Sequence, residues 1–247
     1  MSKRDYFSGH SKLYATFRPT YPEALYQFIF KHLNSKSIAW DCATGNGQVA
    51  RYLSARFEKV LATDISQQQL DNAFQAENIL YSIASAEKTN FPDQSTDLIT
   101  VAQALHWFTA EDFYGEVNRV AKPGAIVAIW GYNVLSASPE VDKIIEDFYL
   151  NTTGPYWDER RKLLDDEYQT IPFPFEKIPF PKIEMETAWS LEHLTGYLST
   201  WSATQKFIKV NGFDPVTAVY ENLKPLWKEG EMKVIRFPLF GKIGRVQ

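Results

Sequence analysis

Four short stretches of the chain carry residue types that could hold a ligand and act on it. The first is Asp41-Cys42-Ala43-Thr44-Gly45-Asn46-Gly47-Gln48, an acid followed by a turn with two glycines. Glycine accepts positive φ and lets a ligand touch the backbone with no Cβ in the way. A helix behind such a turn presents unpaired N–H groups to a carboxylate or phosphate. The second is Asp64, about 20 residues beyond Gly45, the spacing of an acid that accepts hydrogen bonds from ribose hydroxyls. The third is Ser85-Ala86-Glu87, and the fourth is Gln103-Ala104-Leu105-His106-Trp107-Phe108. A glycine turn alone is also what an ordinary strand-to-helix connection uses. The other three stretches give it weight.

Each stretch follows a predicted strand. Apolar runs over Ile38–Cys42, Lys59–Asp64, Ile79–Ala84, Asp97–Gln103 and Ala125–Trp130 alternate with helical patterns over Gln48–Arg56, a segment capped by Ser66, and Ala110–Val120. Lys122-Pro123-Gly124 reads as the end of the last of these helices. Short apolar strands alternating with helices predict an α/β, doubly wound, mainly parallel sheet covered on both faces. In such a sheet, ligands bind at the carboxyl ends of the strands near the switch in strand order. Ahead of this core, Pro22 suits the first turn of a helix through Leu25, Phe28, Ile29 and Leu33. Beyond Gly131, helices are predicted over Val141–Leu150, Glu159–Glu167, Leu191–Leu198 and Pro215–Trp227, with Asp214 as the last one's N-cap. Strands are predicted over Lys182–Trp189 and Lys233–Val246, the latter interrupted by Pro238 and Gly241. No repeat or low-complexity linker divides the 247 residues, so one domain is expected: residues 1–21 as an amino-terminal lid segment, 38–131 as a cofactor-binding core, 132–231 as a largely helical cap, and 232–247 as a terminal strand.

Two cofactor types fit a glycine turn and a ribose acid. A dinucleotide would rest its pyrophosphate on the helix N-terminus, and Gly45-x-Gly47-x-x-Ala50 can be read as that fingerprint. S-adenosylmethionine has no phosphate, and its amino-acid end carries an amine. An acid at Asp41 suits that amine and would repel a pyrophosphate. It favours the methyl donor.

Taken together, Asp41-x-Ala43-x-Gly45-x-Gly47-Gln48, Asp64, Ser85-Ala86-Glu87 and Ala102-Gln103-Ala104-Leu105-His106-Trp107-Phe108 resemble the Rossmann-like (class I) S-adenosylmethionine-dependent methyltransferases. Within that class the chain is similar to the type 11 group, which includes trans-aconitate methyltransferases and related small-molecule enzymes. Tyr14-x-x-x-Arg18-Pro19-x-Tyr21-Pro22 and Gly196-Tyr197-Leu198-x-Thr200-Trp201-Ser202 share the resemblance, which covers nearly the whole chain. One departure is Ala43, where the class usually has its first glycine; an alanine there is expected at negative φ. The resemblance implies a seven-stranded sheet with an antiparallel last pair and helical cap inserts. It also implies roles. Asp41 and the turn around Ala43, Gly45, Gly47 and Gln48 would bind the methionine part, and Asp64 the ribose. Ile65 would pack on the adenine, Ala86 and Glu87 would meet its edge, and Gln103 would sit beside the sulfonium.

Methyl transfer from a sulfonium is chiefly a problem of alignment, and a general base is needed only if the acceptor must lose a proton. His106 is the histidine that the motif places near the methyl group, as a catalytic base, as an orienter of Trp107, or as a helix cap. Tyr14, Arg18, His106, Trp107 and Trp201 are the candidate acceptor contacts; the same Tyr14 and Arg18 would also suit a surface segment, and Trp201 the core. Arg18 could pair with an acidic acceptor or with the cofactor carboxylate. An oxygen acceptor, possible as a carboxylate, is expected, against the alternatives of an NAD(P)-dependent oxidoreductase or a non-catalytic binding protein. A net charge of −4 with no Lys/Arg cluster argues against a nucleic-acid surface. Cys42 is the single cysteine, which excludes an intrachain disulfide and a thiolate zinc cluster, and no metal site is expected. No apolar run has the length of a membrane span, and the amino terminus lacks a signal-peptide core. A cytoplasmic monomer or homodimer is the expectation.

Overall fold

The structure is a computed structural model that describes residues 17–247. Its sheet holds eight strands: β1 (Ile38–Cys42), β2 (Lys59–Asp64), β3 (Ile79–Ile83), β4 (Thr96–Ala102), β5 (Ala121–Tyr132), β6 (Glu176–Ile178), β7 (Glu184–Trp189) and β8 (Lys233–Arg245). The order is β3-β2-β1-β4-β5-β8-β6, with β7 also on β8. β1 to β5 pair parallel, and β8 runs antiparallel to β5, β6 and β7. The chain builds outward from β1 through β2 to β3, then returns to place β4 on the other side of β1. That reversal is the switch point where a crevice opens at the strand ends.

Period-two alternation sends successive residues to opposite faces. In β1, Ala39 joins the core under α1 (Glu23–Phe30) and α2 (Gln48–Ser54), while Trp40 and Cys42 join the core under α4 (Ala110–Val120). Asp41 shares the Ala39 face. β4 and β5 are buried along nearly their whole length, as strands covered by helices on both sides must be. Between β2 and β3 lies the short α3 (Gln67–Asp71), capped as expected by Ser66, whose Oγ accepts the Gln69 N–H.

Past β5 come α5 (Pro139–Asp147), α6 (Arg161–Asp165), α7 (Leu191–Ser199), α8 (Ser202–Asn211) and α9 (Val216–Leu223). α5, α7 and α9 add Val141, Ile145, Leu194, Leu198, Val219 and Leu223 to the first core. α6 and its exit turn add Leu164 and Tyr168 to the second.

Three sequence expectations need correction. The sheet has eight strands, one more than the seven expected, because the three residues Glu176–Ile178 pair with Ile243–Arg245 beside the β5 contact. Pro238 and Gly241 do not interrupt β8: Pro238 stands opposite Glu184, where β8 leaves β7 and takes up β5. Lys122-Pro123-Gly124 lies within β5, which starts directly after α4 with Gly124 at φ +82° and a register shift opposite Thr96/Leu98. A strand irregularity tolerates a proline that a regular central strand would not.

Candidate active site

The turn after β1 is held by two carboxylates. Asp41 is fully buried; its Oδ2 accepts from Thr44 Oγ1 (2.5 Å) and the Ala50 N–H (3.1 Å), and its Oδ1 accepts from Thr100 Oγ1 on β4 (2.8 Å). Burial raises its pKa from the ordinary value to about 6, against the pull of those donors, and the nearby Asp64 charge adds to the rise. Asp64 at the end of β2 reaches back to the same turn: Oδ2 accepts the Gly45 N–H (2.9 Å) and Oδ1 the Ser66 N–H (2.9 Å). Thus β1, β2 and β4 are tied together at the switch point through one turn.

Backbone conformation explains the glycines. Gly45 has φ +56° with nothing near a notional Cβ, so the space beyond it is open. Gly47 has φ +79°, and a Cβ there would lie 2.4 Å from Tyr81 Oη. Ala43 is a correction: its φ is +54°, not negative. The turn keeps the left-handed geometry that a glycine would take, at a cost of roughly 1–2 kcal/mol for a residue with a Cβ.

A cavity of about 620 Å³ opens over this turn. Asp41, Ala43, Gly45, Gly47, Gln48 and Gln103 all line it. Gln48 Nε2 donates to Pro19 O (2.9 Å), pinning the segment before α1 across the opening. Gln103 has φ +57°; its Nε2 donates to Tyr132 O (2.9 Å) and its Oε1 accepts the Tyr132 N–H (3.0 Å). A Cβ at Gly131 would lie 2.6 Å from that Oε1, so the clasp between the ends of β4 and β5 needs glycine there.

A second, smaller cavity of about 60 Å³ adjoins the first. Arg18, Gln103 and Tyr132 line both. Most of its other lining residues are aromatic or charged: His106, Trp107, Trp157, Asp158, Arg161, Tyr197 and Trp201, beside Asn133, Val134, Leu164 and Ser202. Arg18 Nη1 donates to Tyr132 Oη (3.0 Å), and its guanidinium lies 5.1 Å above the Tyr197 ring. Arg161 sits 4.7 Å above Trp157, and its Nε donates to Asp165 (3.1 Å) and Tyr149 Oη (3.3 Å). No described residue hydrogen-bonds the two terminal nitrogens of Arg161. Arg160 stacks 4.6 Å over Trp107. His106 is buried, and burial with the nearby Arg161 and Arg160 lowers its pKa to about 3.

Residues 40–129 match the methyltransferase domain family. A Dictyostelium discoideum protein assigned as a methyltransferase is 36% identical over 96% of this chain and 93% of its own length. The chain belongs to the methyltransferases. A solved structure from Anaeromyxobacter dehalogenans, assigned as a type II methyltransferase, is 33% identical and superposes with a TM-score of 0.86 over 94% of this chain and 99% of that one. An Aspergillus candidus methyltransferase is 28% identical over 68% of this chain and 61% of its own length. The enzyme is of the class I, Rossmann-like, S-adenosylmethionine-dependent kind. Those relationships set aside the oxidoreductase and non-catalytic alternatives.

The methyltransferase's first cavity fits that cofactor. A volume of about 620 Å³ lies within the usual range for ligand sites. The open space beyond Gly45 and the buried negative charge of Asp41 suit an amino-acid end better than a pyrophosphate. Asp64, Ile65, Ala86 and Glu87 do not form the wall of this cavity. Asp64 ends β2, and the other three stand beyond the ends of β2 and β3, Ile65 with 45% of its surface exposed and Ala86 buried. Glu87 Oε1 accepts the Thr109 N–H (3.1 Å) at the start of α4. Arg18, His106, Trp107 and Trp201 meet in the second cavity, while Tyr14 lies outside the described residues. Tyr132, Asn133, Trp157 and Arg161 were not anticipated. Tyr132 carried a signal, since it follows the fifth strand's apolar core as the other site residues follow theirs. Among the described residues, no group of three or more His, Cys, Asp or Glu is placed to hold a metal ion, and no helix is long and apolar enough to cross a membrane.

Proposed function

We propose that this methyltransferase acts on a small acidic molecule, methylating a carboxylate oxygen in the second cavity. The observation that carries this reading is the charge of that cavity: two guanidiniums, Arg18 and Arg161, against one carboxylate, Asp158, between aromatic walls. A guanidinium binds a carboxylate by paired, charge-assisted hydrogen bonds, and it does so most strongly where water is excluded.

The cofactor supplies an electrophilic methyl group on a sulfonium. This chain's residues do the rest by placement. Asp41 and the turn at Ala43, Gly45, Gly47 and Gln48 would hold the amino-acid end in the first cavity; Asp64 would take the ribose and Ile65, Ala86 and Glu87 would flank the adenine where it extends past that cavity's wall. Gln103, clasped to Tyr132, stands at the junction of the two cavities and fixes their separation. Arg18 and Arg161 bring the carboxylate to that junction, with Trp107 and Trp201 as apolar walls. With the methyl donor bound, the carboxylate oxygen would take the methyl carbon as the carbon–sulfur bond broke, giving an ester and a neutral thioether. No proton is released, so no general base is required. His106, held neutral by burial and the neighbouring arginines, suits a role other than proton acceptor.

A panel of small acids and small phenols, assayed for S-adenosylhomocysteine release, tests this. Acids are expected to turn over and phenols to fail. A response confined to phenols overturns the proposal.

A further inference from the structure

Glu167 and Tyr168, just past α6, both have left-handed backbone, with φ +52° and +60°. That conformation is costly for any residue with a Cβ, and two in succession are rarer still. The Tyr168 N–H closes the turn on Leu163 O at 2.8 Å, and its side chain has no exposed surface. The ring packs edge-on against Phe240 and lies within 23° of parallel to His106. Strain maintained directly behind His106, a side chain that lines the second cavity, points to a task for the side chain it places.

What it places is a hydroxyl group. Tyr168 Oη lies 3.1 Å from His106 Nδ1. Among the described residues this is the one hydrogen bond of Tyr168 Oη. A fully buried hydroxyl proton needs an acceptor, and Nδ1 is the one in reach. An Nδ1 that accepts carries no proton, so in a neutral imidazole the proton is on Nε2. The ring is neutral: burial, then Arg161 and Arg160, oppose its protonation, and Asp158 alone favours it. No described residue hydrogen-bonds Nε2, while the His106 side chain lines the second cavity.

We infer that Tyr168 is a positioning residue: it fixes His106 as the Nε2–H tautomer, so that the imidazole meets the acceptor as a hydrogen-bond donor to an anionic oxygen. This rests on the reading of the second cavity as the acceptor site. The division of labour is then clear. Arg18 and Arg161 supply charge, and the Nε2–H supplies direction, aiming one carboxylate oxygen while the other is free to take the methyl group.

The test is a two-bond ¹⁵N–¹H correlation spectrum of the full chain labelled with ¹⁵N-histidine, in which the His106→Gln spectrum identifies the His106 signals among the four histidines. A pyrrole-type Nε2 and a pyridine-type Nδ1, unchanged from about pH 5.5 to about pH 8.5, are expected. Tyr168→Phe should give a mixture of tautomers and an approximately 10-fold higher KM for an acid acceptor, with S-adenosylhomocysteine affinity within about twofold of wild type. A protonated Nδ1, or a ring that titrates in that range in the wild-type protein, overturns the inference. If Tyr168→Phe does not fold, the comparison of His106→Gln with His106→Asn replaces it. The glutamine amide nitrogen reaches the Nε2 position and should keep most acid binding; the asparagine one reaches only the Nδ1 position and should lose it. Equal loss in both contradicts the donor role. A fixed tautomer combined with failure of every acid removes the acceptor reading and the anionic-oxygen part of the inference, while supporting the Tyr168 hold on the ring.

Discussion

The two cavities of this methyltransferase are built in different ways. The first is built around a single turn of eight residues, Asp41 to Gln48, held by carboxylates from the same strand and its neighbour, with Arg18 to Tyr21, Phe74, Gln103 and Tyr132 closing its sides. The second takes Arg18 from before α1, His106 from after β4, Tyr132 from the end of β5, Arg161 from α6 and Trp201 from between α7 and α8. Local hydrogen bonds fix the one, and packing of distant segments fixes the other. Chemistry shared by the whole family can be served by a contiguous turn. If the second cavity takes the acceptor as proposed, damage at a residue that lines only one cavity should leave the other's ligand bound.

The largest effect should come from Gly47→Ala. Its new Cβ would meet Tyr81 Oη, and its left-handed backbone disfavours any side chain. Binding of S-adenosylhomocysteine should weaken at least about 100-fold by calorimetry, together with a stability loss of about 3 kcal/mol. Next is Arg161→Leu, which should lower kcat/KM for acids by about 10- to 100-fold and leave S-adenosylhomocysteine affinity unchanged. If both ligands suffer equally, the separation of the cavities is wrong.

A smaller effect concerns pH. His106 has a native pKa of about 3, below its ordinary 6.5, so between those values the unfolded chain binds more protons. Stability from this group is therefore intact above pH 6.5 and falls as the pH drops below it, by about 2 kcal/mol at pH 5. Asp41, with its pKa raised to about 6, acts in the opposite sense, gaining stability as the pH falls from there. Denaturant titrations of wild type and His106→Gln at both pH values isolate the histidine's share, which the variant should lack. The smallest effect is Ala43→Gly, expected to stabilise by about 1 kcal/mol through relief of the left-handed strain, with cofactor binding retained.

The same contrast governs what could be read from the sequence. The glycine turn, Asp64 and the strand-end stretches were legible because their signals are consecutive or at fixed spacing. Ala43 was misjudged: residue type suggested negative φ, but the hydrogen bonds of Asp41 and Asp64 to the turn dictate its path. Arg161 lay within a correctly anticipated helical stretch, yet nothing local marks it as facing a cavity built with Trp157 and Tyr197. Tyr168 was less visible still, since two left-handed non-glycine residues have no signature in composition. α8 was missed, although Gly212 at φ +77° is an ordinary helix-ending signal.

The central claim is methylation of a carboxylate oxygen, and product chemistry tests it most directly. The enzyme would be run with methyl-labelled S-adenosylmethionine and the acid and phenol panel, and the products then treated with mild alkali. Release of the label as methanol, from acid acceptors only and strongly reduced in Arg161→Leu, is the predicted result. Label that stays on the product through alkali, as an ether or a methylated amine would keep it, contradicts the claim.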